Sequence, residues 1–112
     1  MFWAFDGAKT RFRVTTIRFS DVPNKMRANA RCKGAGCPFR KTKTLKSRRH
    51  KLNLLPALRG RTDFRAGQTL EVRATRRGFM GRVVRVQLKQ GKVPESVRLC
   101  LKPGTKKPRA CQ

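Results

Sequence analysis

Apolar and polar residues alternate at period two along much of this chain, most plainly in Arg11-Phe12-Arg13-Val14 and Arg85-Val86-Gln87-Leu88-Lys89. Strict alternation marks a strand with one face buried and the other wet. Residues 11–20 read as one strand with an irregularity. Phe12 and Val14 share one parity and Ile17 and Phe19 the other, which predicts a β-bulge near Thr15-Thr16. Asp21-Val22-Pro23-Asn24 is turn chemistry. Ala28, Ala30 and Cys32 then alternate with Asn29 and Arg31, a second strand whose inward face is small. The aromatic-rich start, Met1-Phe2-Trp3-Ala4-Phe5, predicts an edge strand or a staple onto the core.

Further along, Leu52, Leu54, Leu55 and Leu58 suit a strand end or a single helical turn broken by Pro56. Arg65-Ala66-Gly67-Gln68 reads as a turn, followed by a strand over 69–75 with Leu70, Val72 and Ala74 on one face. Residues 79–89 carry the longest strand signal. Parity switches there between Val83 and Val84, predicting a bulge, or a bend at Gly81. Val97, Leu99 and Leu101 form a last strand with Cys100 on its opposite face. Phe12, Phe19, Phe39, Phe64 and Phe79 stand where core residues belong. Short strands at this spacing, punctuated by Gly and Pro, predict an all-β sandwich or barrel.

At 112 residues there is room for one domain, 1–112, with its core over about 11–101. The apolar fraction of 38% is enough for a small core and too periodic for a disordered polycation. Charge changes the picture more. Thirty Lys and Arg stand against five acids, a formal net charge of +25. Because these cations alternate with apolar residues, the wet faces of the strands should be studded with them, which points to polyanionic partners. Residues 40–51 are the densest basic stretch, with Leu45 its one plausible core residue.

Repulsion on this scale calls for an offsetting device, and four cysteines supply a candidate. They fall into two local pairs, Cys32 with Cys37 and Cys100 with Cys111. Two disulfides closing short loops contribute roughly 2–3 kcal/mol each. Gly34 and Gly36 would let the first loop close, and the second bond would tether the aperiodic basic tail, residues 102–112. A structural zinc site competes. Its ligand pairs normally lie two to four residues apart, whereas here the gaps are four and ten. Four cysteines allow three connectivities; sequence alone does not settle which, and proximity favours the local pairs.

Several elements together resemble an uncharacterised basic four-cysteine β-domain of actinobacterial exported and cell-surface proteins. They are Val22-Pro23, then Arg31-Cys32-Lys33-Gly34-Ala35-Gly36-Cys37-Pro38-Phe39, Leu58-Arg59-Gly60-Arg61 and Arg65-Ala66-Gly67-Gln68-Thr69-Leu70-Glu71-Val72. Gly81-Arg82-Val83-Val84 and Leu99-Cys100-Leu101-Lys102-Pro103-Gly104 before Cys111 complete the set. The likeness covers roughly residues 11–111, and its C-x-G-x-G-C-P-F element is its most specific part. It implies an immunoglobulin-like or fibronectin-like sandwich within a longer exported protein, and it brings no catalytic residues.

The five acids, the single His50 and the absence of Tyr argue against an enzyme; Glu71 reads as an outward strand residue paired to cations. No cofactor and no metal is expected. The polyanion-binding candidates are Arg11 and Arg13 on one strand face, joined to Arg85 and Lys89 or to the basic stretch. That stretch supplies Arg40, Lys41, Lys43, Lys46, Arg48, Arg49 and Lys51. No segment is long and apolar enough to span a membrane, and nothing reads as an amphipathic inserting helix. The first twenty residues are charged, with no signal-peptide core, which taken literally means a cytoplasmic protein; the alternative is an excerpt of a longer exported chain.

The expected function is therefore a non-enzymatic, secreted or cell-surface attachment module with general affinity for polyanions. Its partners would be anionic cell-envelope polymers or nucleic acid, met through a diffuse basic surface. The competing function is an intracellular nucleic-acid-binding protein contacting the DNA or RNA backbone, with or without a zinc site made by the four cysteines.

Overall fold

Alternation of this kind needs a second layer to cover its apolar face, and the chain provides one. A computed structural model describes residues 1–8, 10–20, 25–47 and 50–111. The turn expected at Asp21-Val22-Pro23-Asn24 and the candidates Arg48 and Arg49 lie outside the described residues. Among the described residues there are nine strands, in two antiparallel sheets.

The smaller sheet is built on β2 (Arg11–Phe19). β1 (Phe2–Ala8) lies along one side of it, while β5 (Leu52–Asn53) and β6 (Asp63–Arg65) pair with its two ends. The larger sheet runs β4-β3-β7-β8-β9. It is made of β4 (Lys43–Lys46), β3 (Arg27–Lys33), β7 (Thr69–Thr75), β8 (Gly81–Gln87) and β9 (Glu95–Leu101). β7, β8 and β9 form a consecutive meander.

The inward faces share one core. Phe12, Val14, Ile17, Phe19, Leu52 and Phe64 come from the smaller sheet, and Ala28, Ala30, Leu70, Val72, Val84 and Val86 from the larger. Small side chains on β3 and bulky ones on the facing sheet meet the demand of close packing. Phe64 centres the aromatic part, with its ring 5.9 Å from Phe5 and 6.0 Å from Phe39, both edge-on. Such pairs add to burial when the quadrupoles meet edge to face. Trp3 and Phe5 pack half-buried on this core from the edge strand β1, and Leu45 does so from β4.

The predicted bulge is present. The β1–β2 register jumps so that Ala4 faces Thr16 and Phe5 faces Val14, leaving Thr15 as the extra residue. Leu55–Leu58 form a 3₁₀ turn directly after β5, and Pro56 opens that turn rather than breaking it.

Two expectations are corrected. β8 has no bulge or break in register against β7 or β9, although parity switches at Val83. Val83 points to the outer face and is still fully buried, so both faces of the strand are covered there. Phe79 is not a core residue. It stands 44% exposed in the turn before β8.

Both disulfides are formed locally, Cys32–Cys37 and Cys100–Cys111, and no thiol is free. The second ties the tail back onto β9. Cys100 N donates to Arg109 O at 2.7 Å and Arg109 N to Cys100 O at 2.9 Å, which adds a short ladder beside the bond. The first loop is fastened from within. Gln68, fully buried, accepts from Arg65 N at 2.8 Å and donates through Nε2 to Ala35 O at 2.7 Å.

Candidate functional site

The outer face of the larger sheet gathers charge in rows set by register. Arg31, Glu71, Arg85 and Val97 form one row; Asn29, Arg73, Val83 and Leu99 form the next. Glu71 sits near the middle with its side chain wholly buried. Its carboxylate accepts from Arg73 Nε and Arg85 Nε, each at 2.8 Å, and Lys33 Nζ lies 3.7 Å away. Burial pushes this carboxyl up, but the two arginine hydrogen bonds and the charges of Arg73 and Lys33 overcome it. The Glu71 carboxyl is held at about 2, against an ordinary 4.5.

Glu71 therefore fixes Arg73, and Arg73 in turn reaches the tail, donating through Nη1 to Lys106 O at 2.9 Å. Between that pinned tail and the β7–β8 connection lies a cleft of about 720 Å³. Two turns of the same kind form its walls. In Arg76-Arg77-Gly78-Phe79, Phe79 N donates to Arg76 O at 3.0 Å and Gly78 has φ +82°. In Lys102-Pro103-Gly104-Thr105, Thr105 N donates to Lys102 O at 3.0 Å and Gly104 has φ +77°. A positive φ at the third position is the type II pattern, and glycine supplies it without strain.

The cleft lining is cationic. The sheet contributes Arg27, Lys46 and Arg73 to the floor, the first turn contributes Arg76 and Arg77, and the tail contributes Lys102 and Lys106. Lys25 stands at the rim. Among the described residues no carboxylate lines it. Arg27 and Lys46 are direct cross-strand partners, a like-charge juxtaposition that costs the sheet free energy unless an anion relieves it. Two of the acids are engaged elsewhere, Asp63 with Arg13 at 3.3 Å and Glu95 with Lys89 at 3.3 Å.

The chain matches no protein-family model, no curated protein and no solved structure. The site must be read from its own geometry.

Of the polyanion-binding candidates among the described residues, the structure brings only Lys46 into this cleft. Arg11 and Arg13 lie on the outer face of the smaller sheet, opposite in register to Arg65 and Asp63. They line a second, mixed-charge cavity of about 640 Å³ that also holds Asp6 and Asp63. Arg85 and Lys89 do not join them, because Arg85 points outward from the other sheet and both are paired with carboxylates. Arg40, Lys41 and Lys51 are exposed, and Lys43 is half-buried at the start of β4. Sequence reasoning missed Lys25, Arg27, Arg73, Arg76, Arg77, Lys102 and Lys106. The signal available was the pair of glycine turns, each carrying cations in its leading positions.

Proposed function

We propose that this protein is a non-enzymatic attachment module that acts outside the cytoplasm and grips polyanions by charge. One observation carries the reading: a cleft lined by eight Lys and Arg and, among the described residues, no carboxylate, with one wall fastened by a disulfide. Disulfides persist in oxidising compartments, which supports an exported setting. The likeness to the basic domain of actinobacterial surface proteins, with its immunoglobulin-like connectivity and its place in a longer exported chain, belongs to the same reading. With both cysteine pairs bonded, the rival intracellular nucleic-acid binder would have to act without a zinc site on these cysteines.

The test is binding of a teichoic acid and of DNA across a salt series, with an unstructured peptide copying residues 40–51 as control. Contacts with six to ten anionic groups would weaken affinity by about 10³–10⁵ between about 50 and 200 mM salt. A double variant, Arg27→Glu with Lys46→Glu, should lose most of the binding while keeping the fold. Binding no tighter than the peptide would reject the reading.

A further inference from the structure

Phe79 and Arg76 give the cleft something that charge alone does not require. The Arg76 guanidinium lies over the Phe79 ring, 4.8 Å from its centroid, and that ring is 44% exposed. An isolated exposed apolar residue is ordinary. This one is held by the hydrogen-bonded turn Arg76–Phe79, in a lining rich in cations. A polyol phosphate would occupy the charges and leave the flat surface in water. A chain carrying both phosphates and planar rings would use both.

We infer that the cleft takes single-stranded nucleic acid, its phosphates on Arg27, Lys46, Arg77 and Lys102 and one base stacked on the Arg76–Phe79 pair. This deepens the polyanion reading and rests on it. Stacking requires an unpaired base, because in a duplex the base faces are already covered. Arginine over an aromatic ring extends the platform, and both planes accept any base, so little sequence preference follows.

The experiment uses the intact oxidised protein and fluorescence anisotropy. The probes are a short oligothymidylate, an abasic strand of equal length, and inorganic polyphosphate of matched charge. The oligothymidylate should bind about tenfold more tightly than the abasic strand, the effect of stacking one base. Phe79→Ala should erase that difference, leaving the oligothymidylate bound no more tightly than the abasic strand. Phe79→Leu, which keeps apolar bulk without a π face, should also erase it, and far-ultraviolet circular dichroism should show both variants folded. Equal affinity for the two strands in the native protein, or an unaltered preference in both variants, would overturn the stacking proposal and leave the polyanion reading standing. Failure of all three probes to bind better than the basic peptide would remove the underlying reading as well.

Discussion

Glu71 and Phe64 are the residues on which most of the local structure turns. The folded-state value of the Glu71 carboxyl lies below its unfolded one, so its contribution is fully present above about pH 4.5. It is lost as pH falls through about 2. Thermal melts from neutral to acid should therefore show a decline beginning below about pH 4.5, on the order of 3 kcal/mol in all. Glu71→Gln should lower stability by a similar amount at neutral pH, since it leaves Arg73 and Arg85 without their carboxylate, and it should flatten the acid decline. Phe64→Ala removes the ring that meets both Phe5 and Phe39, and denaturant titration should register a loss of about 3–5 kcal/mol. The partnership of Glu71 with cations was legible in the sequence, because five acids among thirty cations have few other choices. Its complete burial was not, because that depends on long arginine side chains folding over it from its own strand and the next.

At the level of elements, β2 and β7 follow their alternation closely because each has one clear inward face; β9 does not, since its Val97 and Leu99 share the outer face with Arg85 and Val83 and Val97 is exposed. The bulge at Thr15 was legible for the same reason: a change of parity inside a one-faced strand has one cheap explanation. β8 shows where that logic stops. Val83 is buried on the outer face, where Arg73 and Leu99 flank it and Arg73 reaches over to the tail, so the parity switch reports a second cover rather than a bulge. Phe79 misled because a large apolar residue beside a strand signal is usually part of it. The cleft was hidden for a topological reason. Its cations come from β3, β4, the β7–β8 turn and the tail, which only the sheet order brings together. Cys111→Ser tests the last of these. It should reduce stability by about 3 kcal/mol in denaturant, the loop-closure entropy of a segment this short, and weaken polyanion binding by freeing one wall.

For the whole molecule, the dominant quantity is +25 charges on a body with a radius of gyration of 13.7 Å. At about 0.1 M salt the screening length is about 10 Å, so much of this repulsion acts across the fold in dilute buffer. Melting temperature should rise steadily with sodium chloride in scanning calorimetry, while polyanion affinity falls. A melting temperature that is flat or falls with salt would mean that the charges are already compensated. The Cys100–Cys111 bond has a mechanical consequence too. Tension applied beyond Cys111 enters β9 at Cys100 through the sulfurs and bypasses residues 101–110, of which 101–106 line one wall of the cleft. The cleft is thus placed off the load path. In single-molecule pulling, reducing that bond should lengthen the stretched chain by roughly 35 Å, and only then would a pull on this end begin to peel that wall from the sheet.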